Sequence, residues 1–506
     1  MSDLVRITLQ PLGHEFTVER GTPLQDVLFT YGVEFPCGGN AVCEGCKIKV
    51  LSGKLRATPE QENILSKKDI GEGWRLACCC KAEEDITLEL AQWEVRVLTD
   101  ESRFEFVPRQ GLGIAIDLGT TTLAAQLLDL ANGNVLAVET ALNEQGRFGA
   151  DVMSRIFYAV TENGQKMMEQ SIRLQLGTMV AKLVHSAGVD GSFVQDVVLV
   201  GNTVMHHLFC GFDVTPLSQY PFESPYYDLG RFESQELEWD IVPSASVRFL
   251  PCLGSFVGSD ILAGILATGV HKSDSFVGLI DLGTNGEIVL GNRGGLLFCS
   301  TAAGPAFEGS CISMGMRATS GAISQVVADD GAFKCRVLGN VAPRGICGSG
   351  LVDAIAVGLA TEHIRDDGKI LKGSESIALC PPVEVSQSDI RELQVAKAAI
   401  AAGVRILLKD LDATVADVSR MYLAGAFGNY INRSNAYRIG LLRVPPERIH
   451  PAGNTALLGA KIALFNNDEK LFSDVRQMAQ HVSLNVDEQF QDIFVDEMNF
   501  PLTIRV

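Results

Sequence analysis

The sequence predicts an α/β protein of several domains, and three observations lead to this prediction. Its 506 residues exceed what one ordinary hydrophobic core holds, so we expect about three structural units. Residues 1–93 contain short stretches in which apolar and polar side chains alternate, as in strands, together with one helical stretch. From Leu112 onward, apolar strands, Gly-Thr turns and long helical stretches follow one another, and one segment occurs twice.

Residues 1–93 are predicted to form a small mixed domain of about four strands and one helix. The alternation of apolar and polar side chains over residues 5–9 places one face of the first strand in a core. The helix is predicted to have Thr22 as its N-cap and Pro23 as its first residue, because both residue types are typical of those positions. Residues 94–111 carry several charges without a clear period and are predicted to be a linker.

The repeated segment consists of an apolar strand, the sequence Asp-Leu-Gly-Thr and a second apolar strand. GIAIDLGTTTLAAQLLDL begins at Gly113 and GLIDLGTNGEIVLGN begins at Gly278, about 165 residues later. A further apolar strand follows each copy and ends in glycine, at Gly201 and Gly425 respectively. The repeat predicts two similar lobes with a cleft between them. The predicted bounds are residues 112–272 for the first lobe and 273–506 for the second.

Composition and charge disfavour several classes of function. The formal net charge of −19 repels phosphate backbones and anionic lipid, so we expect no nucleic-acid partner and no membrane surface as partner. The first residues lack the basic and apolar regions of a signal peptide, and no apolar run approaches the roughly 20 residues that span a bilayer. These features predict a cytoplasmic protein, in which the 13 cysteines are metal ligands or buried thiols rather than disulfides.

A cysteine cluster near the N-terminus predicts a metal centre. Six cysteines fall within residues 37–80: Cys37, Cys43, Cys46, Cys78, Cys79 and Cys80. The first three have a Cys-x5-Cys-x2-Cys spacing, one residue longer than that of plant-type 2Fe-2S proteins. Gly38 and Gly39 allow the loop to approach a cluster closely. A structural zinc site or a redox Cys-x-x-Cys pair is the alternative, but zinc sites normally have two such pairs and only one is present.

The two Asp-Leu-Gly-Thr turns indicate phosphate chemistry. A glycine after an apolar strand lets backbone N–H groups face a phosphate, the hydroxyls of residues 120–122 add donors, and Asp117 is suited to hydrated Mg²⁺. A single copy would be equally consistent with a hairpin turn that binds nothing. Two copies of the turn in duplicated lobes favour a nucleotide-binding site over such a hairpin. The sequence contains no GxxxxGK[ST], HExxH or GxSxG motif.

These motifs resemble two known groups of proteins. Residues 1–93 resemble 2Fe-2S ferredoxins with the adrenodoxin-like spacing, whose fourth ligand lies in a Leu-Ala-Cys context that Leu76-Ala77-Cys78 matches. The remainder resembles the superfamily of acetate and sugar kinases, heat-shock chaperones and actin, with a first phosphate loop at Asp117, a second at Asp281 and an adenosine loop at Gly425–Gly428. The implied fold is an N-terminal β-grasp 2Fe-2S ferredoxin followed by a duplicated two-lobe actin-like ATPase.

The combination of both parts is similar to the reductive activators of corrinoid-dependent methyltransferases. Three further segments carry this resemblance: AGPAFEGSCISMGMRATSGAI from Ala303, GNTVMHHLF from Gly201 and GICGSGLVDAI from Gly345. The resemblance implies reduction of inactive Co(II) to Co(I) in a corrinoid protein of a methyltransferase system, with a low-potential electron donor, a homodimeric assembly and three cofactors, a 2Fe-2S cluster, ATP and Mg²⁺. It assigns no catalytic residue.

The resemblance also implies the site residues. The cluster ligands are Cys37, Cys43, Cys46 and Cys78. The nucleotide residues are Asp117, Gly119, Thr120, Thr121, Asp281, Gly283, Thr284, Asn285, Gly286, Gly425 and Gly428. An alternative function is an iron–sulfur redox sensor whose cluster state gates a nucleotide-dependent protein interaction without turnover. A small-molecule kinase with an accessory ferredoxin is a third possibility, for which the sequence offers no identifiable base.

Overall fold

The computed structural model describes residues 4–10, 13–28, 31, 33, 41, 46–90, 100, 102, 104–162, 164–283, 285–309, 311–329, 332–371, 375–466 and 468–501. Three predicted site residues lie outside this set: Cys37, Cys43 and Thr284.

The N-terminal domain contains a five-stranded mixed sheet and short helices. Its elements are β1 (Leu4–Gln10), β2 (His14–Glu19), β3 (Thr22–Pro23), α1 (Leu24–Leu28), β4 (Lys47–Ser52), α2 (Pro59–Ile64), α3 (Lys67–Gly71), β5 (Trp74–Leu76), β6 (Lys81–Ala82) and β7 (Ile86–Leu90). The strand order of the sheet is β2-β1-β7-β4-β5, with β1 and β7 parallel. Val5, Ile7 and Leu9 are buried, as the alternation over residues 5–9 predicts.

The start of the first helix differs from the prediction. The helix α1 begins at Leu24, whereas Thr22 and Pro23 pair with Lys81 and Ala82 as a short antiparallel ladder. The Thr22 hydroxyl donates to the carbonyl of Glu19, so it caps no helix. The prediction of Thr22 as N-cap and Pro23 as first helical residue was therefore wrong, because pairing with a distant strand overrides the local signal.

The first lobe is built on a six-stranded sheet. Its elements are β8 (Leu112–Leu118), β9 (Thr122–Asp129), β10 (Val135–Leu142), α4 (Val152–Thr161), α5 (Gln165–Ala187), β11 (Val194–Gly201), α6 (Thr203–Cys210), β12 (Gly230–Glu233), β13 (Ser246–Phe249) and α7 (Ser259–Thr268). The strand order is β10-β9-β8-β11-β13-β12.

The second lobe contains a second six-stranded sheet and a smaller subdomain. Its elements are β14 (Phe276–Leu282), β15 (Gly286–Asn292), β16 (Gly295–Thr301), β17 (Ala322–Asp329), β18 (Ala332–Val337), β19 (Gly345–Ile346), α8 (Gly348–Ala360), β20 (Ser376–Cys380), β21 (Val383–Ser386), α9 (Gln387–Asp410), β22 (Val418–Ala424), α10 (Gly425–Tyr430), α11 (Arg433–Arg438), β23 (Ile449–Gly453), α12 (Thr455–Phe465), α13 (Lys470–Met478), β24 (Ala479–His481) and α14 (Phe490–Met498). The large sheet has the order β23-β22-β14-β15-β16-β24.

The two large sheets repeat one topology. The order β10-β9-β8-β11-β13 in the first lobe corresponds to β16-β15-β14-β22-β23 in the second. In both lobes the strand that ends in Asp-Leu is antiparallel to the next strand and parallel to the later glycine-ended strand. The predicted duplicated α/β fold is therefore confirmed.

The helices α7 and α12 pack against each other between the two large sheets. At Gly459 of α12, an added Cβ would lie 2.1 Å from the carbonyl oxygen of Ala263 in α7, so only glycine allows this close approach. Although α12 follows the second sheet in sequence, it packs on β8 and β11 of the first lobe. One apolar core therefore contains residues from both lobes.

A buried ion pair fixes the segment before the first lobe to α12. Asp100 and Lys461 are 4% and 1% exposed and form a salt bridge, and the Lys461 ammonium also donates to the Asp100 carbonyl at 3.2 Å. Removing one partner leaves an unpaired charge in the interior, so Lys461→Met is expected to lower the free energy of unfolding by about 3–5 kcal/mol. The double variant Asp100→Leu/Lys461→Met should recover most of that loss, measured by urea unfolding. Equal losses in the single and double variants would contradict this account.

The N-terminal domain contacts both lobes. The Gln25 amide of α1 donates to the carbonyl of Arg147 in the first lobe at 3.1 Å. From the second lobe, the Arg344 guanidinium donates to the carbonyl of Leu90 at 2.8 Å. Within the described ranges, none of the helices combines the length and the hydrophobicity needed to cross a membrane.

Candidate functional site

The two Asp-Leu-Gly-Thr turns lie at the ends of β8 and β14, and the glycine amide of each donates to a nearby backbone carbonyl, three residues on in the first turn and two residues on in the second. The Gly119 amide donates to the carbonyl of Thr122 at 3.1 Å, and the Gly283 amide donates to that of Asn285 at 3.0 Å. A Cβ on Gly119 would lie 2.6 Å from the Thr122 carbonyl oxygen. The first turn therefore requires glycine, and the lack of a side chain leaves its backbone open to a ligand.

The parallel neighbours of β8 and β14, which are β11 and β22, end at the same edge of their sheets as these turns. Asn202 follows β11, caps α6 through the Met205 amide, and donates from its side chain to the Thr120 hydroxyl at 2.8 Å. Gly425 follows β22 with a φ of 79°, and its Cβ position lies 2.7 Å from an oxygen of Asp281. In each lobe neighbouring strand ends therefore converge at one edge of the sheet, and the charge interaction between Asp117 and Asp281 shows that the two edges face each other; we call the region between them the cleft.

A buried cation lies behind the first turn. Arg155 of α4 is fully buried, and its guanidinium donates to the carbonyls of Thr120 and of Gly149, the latter at 2.8 Å. Burial lowers the pKa of Arg155 to about 9. The side chain therefore fixes the Thr120 turn to α4, and when protonated it puts positive charge beneath that turn.

Four acidic side chains from both lobes interact across the cleft: Asp117, Asp260, Asp281 and Glu287. Burial, together with the charge of Asp281, raises the pKa of Asp117 and of Asp260 to about 7. Burial alone raises the pKa of Asp281 to about 6, and burial with the charges of Asp260 and Asp281 raises the pKa of Glu287. This concentration of negative potential suits a cation.

A cross-lobe hydrogen bond joins the cluster to α12. The side chain of Asn454, the N-cap of α12, donates to Asp117 Oδ2 at 2.9 Å, and its own oxygen accepts from the Leu457 amide. This bond lowers the pKa of Asp117, against the larger effect of burial. Among the described residues, no three His, Cys, Asp or Glu side chains are arranged to hold a metal ion by themselves.

The raised pKa values predict that the unliganded fold loses stability as the pH rises. A folded state that holds protons more tightly than the unfolded chain is favoured at low pH. The stability from Asp260 therefore falls between about pH 4, its ordinary value, and about pH 7. The Asp260→Asn variant should become more stable than the parent chain across this interval, measured as the difference in thermal midpoint from pH 4 to 8 without nucleotide. A constant difference at all pH values would contradict the prediction.

The structure brings most of the predicted nucleotide residues to the cleft ends of the strands: Asp117, Gly119, Thr120, Thr121, Asp281, Gly283, Asn285 and Gly425. Gly286 and Gly428 have close packing contacts instead. A Cβ on Gly286 would lie 1.9 Å from Ile400 of α9, and one on Gly428 would lie 3.0 Å from Leu423. Their assignment to the nucleotide stays a prediction.

Several residues at the cleft were not identified from the sequence: Arg155, Asn202, Asp260, Glu287 and Asn454. Only Asn202 had a usable signal, because GNT follows the glycine-ended strand of the first lobe as AFG follows that of the second.

The structure places the three adjacent cysteines Cys78, Cys79 and Cys80 in different surroundings. The sulfurs of Cys46 and Cys78 lie 3.4 Å apart, and the Ala77 amide donates to the carbonyl of Cys46 at 3.0 Å. Two separate segments therefore present their thiols together, as a shared cluster requires. Cys79 is 3.8 Å from Cys78.

Cys80 faces the core of the domain. Its sulfur accepts from the Gln61 amide at 3.5 Å, it is 5% exposed, and burial raises its pKa to about 12. Burial likewise raises the pKa of Cys79 to about 12. The donor set at Cys46 and Cys78 fits an iron–sulfur cluster, whereas Cys80 is a packed thiol. The predicted ligands Cys37 and Cys43 lie outside the described residues.

Family models match consecutive parts of the chain. A 2Fe-2S iron–sulfur cluster binding domain matches residues 7–83, the RACo middle region matches residues 112–273, and the C-terminal ASKHA domain of RACo matches residues 276–505. These matches support an N-terminal domain of the 2Fe-2S binding type and a C-terminal part of the nucleotide-binding ASKHA fold.

Individual proteins match along most of their length. The chain is 34% identical to the corrinoid activation enzyme RamQ of Eubacterium limosum, over 76% of the chain and 69% of that protein. It is 26% identical to the Co(II) methylated amine-specific corrinoid protein reductase of Methanosarcina barkeri, over 77% of each. A solved structure of a reductive activator for corrinoid, iron–sulfur protein matches with a TM-score of 0.68 and 28% identity, over 98% of both chains.

Proposed function

The chain belongs to the RACo family of corrinoid activators, and on this premise we propose that it reduces the Co(II) form of a corrinoid protein to Co(I) in an ATP-dependent manner. One observation carries the proposal. A single chain joins a paired-thiol centre, with the Cys46 and Cys78 sulfurs 3.4 Å apart, to a two-lobe cleft lined by Asp117 and Asp281. An electron carrier and a nucleotide switch are the two parts that such a reduction needs.

The thiol centre supplies the electron carrier. Cys46 and Cys78 fit as ligands, and the spacing assigns Cys37 and Cys43 as the other two. When bound, a 2Fe-2S cluster supplies one-electron chemistry at a potential near about −400 mV for the plant type. We take Cys78 as the fourth ligand because its sulfur is beside Cys46, while Cys80 faces the core.

The cleft supplies the nucleotide site. In this proposal the turns at Gly119 and Gly283 would bind the phosphates through backbone amides and hydroxyls, and Asp117 and Asp281 would hold a hydrated Mg²⁺ beside them. Thr284 belongs to the same proposed set. Loops from both lobes would contact one ligand, so its affinity depends on how far the lobes are closed.

ATP is needed because the electron transfer is uphill. The Co(II)/Co(I) couple of such partners is expected to be lower than about −400 mV, and every 59 mV costs a factor of ten in a one-electron equilibrium. ATP offsets this difference if one nucleotide state of the lobes binds the Co(II) partner in a more easily reduced form, or if hydrolysis drives release of the partner afterwards. The coupling therefore consists of differential affinity between states.

The partners in this proposal are a corrinoid protein of a methyltransferase system and a low-potential electron donor. The homodimeric assembly and the cytoplasmic location are parts of the same proposal. Both are supported by the family resemblance.

The test is an anaerobic visible spectrum of the chain with a Co(II) corrinoid protein and a chemical reductant, before and after Mg-ATP. We expect the Co(I) band to form only after Mg-ATP is added. ATP hydrolysis and a normal iron–sulfur spectrum without any Co(I), over a panel of corrinoid proteins, would refute the proposal. That result would favour the redox sensor.

A further inference from the structure

The helix α4 exposes apolar side chains toward solvent. Met153, Phe157 and Val160 are 46%, 68% and 40% exposed, and their spacing of four and three residues places them on one side of the helix. A surface helix normally turns its single apolar stripe toward the core, and α4 does so with Ile156 and Ala159. The second, outward stripe is therefore not buried within the lobe.

The outward stripe continues on the adjoining helix α5. Met167 and Leu174 are 49% and 74% exposed, and the Met167 sulfur lies 3.9 Å from the Tyr158 hydroxyl of α4. We call the exposed residues Met153, Phe157, Val160, Met167 and Leu174 the α4–α5 face. Contiguous exposed apolar side chains of this kind mark interaction sites.

The charge along the α5 side of the α4–α5 face is opposite to that of the whole chain. The helix α5, which the structure describes throughout, exposes Lys166 and Lys182 but no carboxylate. Its single acid, Glu169, is buried and pairs with Lys166 and Arg173. Glu162 at the end of α4 is exposed, so the cationic border is confined to the α5 side, where it is a local exception in a protein with a net charge of −19.

The position of α4 connects this face to both functional sites. On its inner side, Arg155 donates to the carbonyl of Thr120 in the first glycine turn. Just before α4, the carbonyl of Arg147 accepts from Gln25 of α1, and α1 packs on the turn that carries Cys78. A protein bound to the outer side would therefore be near the thiol centre and in contact with the helix that fixes the nucleotide turn.

We propose that the α4–α5 face is the docking surface for the corrinoid protein, and that this partner presents an apolar surface bordered by carboxylates. The proposal rests on the proposed function and specifies where the partner binds. A second copy of this chain fits less well, because a twofold interface would set the cationic border against itself.

The test compares the rate of Mg-ATP-dependent Co(II) reduction at increasing concentrations of a corrinoid protein that the parent chain reduces. Phe157→Ser and Leu174→Ser are expected to raise the half-saturating concentration about tenfold or more, as loss of a central apolar contact does. The maximal rate and the affinity for ATP should be unchanged. Val495→Ser is the matched control, since Val495 of α14 is 63% exposed in the other lobe.

The charge border has its own test. Lys182→Glu is expected to raise the half-saturating concentration, and added salt should weaken binding of the parent chain more than that of the variant. Lys272→Glu, an exposed lysine away from the face, is the control. A salt dependence that is the same in both chains would overturn the acidic border of the partner.

Three outcomes separate the possible failures. A parent chain that reduces no corrinoid protein refutes the proposed function and, with it, the docking site. An active parent chain with an unchanged half-saturating concentration in Phe157→Ser refutes the docking site alone. Sedimentation gives the third: if Phe157→Ser turns a dimer into a monomer without changing the affinity for the corrinoid protein, the α4–α5 face belongs to a second copy.

Discussion

Replacing Cys78 by alanine is expected to abolish the visible absorption of the iron–sulfur cluster and to lower the rate of Co(II) reduction by more than about 100-fold. The Cys78 sulfur lies 3.4 Å from that of Cys46, so the variant would lose one of four thiolate ligands. Mutation of a residue that only hydrogen-bonds to a metal ligand already lowers metal affinity or activity by about 10- to 100-fold. ATP binding should remain, because the cleft is built from other elements.

The two adjacent cysteines provide matched controls for Cys78. Cys79→Ala and Cys80→Ala should both keep the cluster absorption. Cys80 faces the core beside Gln61, and it is the Cys78 sulfur that lies 3.4 Å from that of Cys46, whereas the Cys79 sulfur lies 3.8 Å from that of Cys78. Anaerobic visible spectra and iron analysis of the three variants make the comparison. Loss of the cluster in Cys79→Ala, with retention in Cys78→Ala, would show that the fourth ligand is Cys79.

The second large effect is expected from Asp281→Asn. Asparagine keeps the shape of the side chain but removes the charge that we assign to Mg-ATP binding, at the point where β14 ends against Gly425. ATP-dependent Co(II) reduction should fall by about 100- to 1000-fold, as with the loss of other preorganised electrostatic groups. The cluster absorption should be unaffected, because it depends on the N-terminal domain.

Asp281→Asn should also make the unliganded chain more stable at pH 8. The charge of Asp281 raises the pKa of three neighbours: Asp117, Asp260 and Glu287. Its removal relieves their mutual repulsion, so loss of activity would not result from unfolding. Asp274→Asn, an exposed residue just before β14 that pairs with Arg293, is the control and should change neither property. Full ATP-dependent activity of Asp281→Asn would remove this residue from the proposed nucleotide site.

Local patterns predicted the repeated parts of the fold. An apolar strand, Asp-Leu-Gly-Thr and a second apolar strand occur twice, and each copy forms the antiparallel pair at the centre of its sheet. The pattern works because it is short in sequence and encodes both the strands and the turn between them. The alternation over residues 5–9 works for the same reason, since a period of two directly sets which face of a strand is buried.

These local patterns could not predict contacts between segments that are distant in the sequence. Thr22 and Pro23 carry local helix signals but pair with residues 81–82. Arg155 looks like a polar residue of an amphipathic helix, and only the fold places its guanidinium against the Thr120 turn. Asn454 reads as an ordinary N-cap, and its contact with Asp117 spans two lobes. No sequence window contains both partners of such contacts.

The position of α12 has a consequence for biosynthesis. Ala115, Val198 and Leu262 of the first lobe are buried in a core that Leu457 and Leu464 of α12 complete. Since α12 begins roughly 190 residues after α7 ends, it leaves the ribosome about 10 to 40 s later at about 5 to 20 residues per second. During that interval the apolar surface that α12 later covers on β8 and β11 lacks this helix, which makes the nascent chain prone to aggregation at this stage.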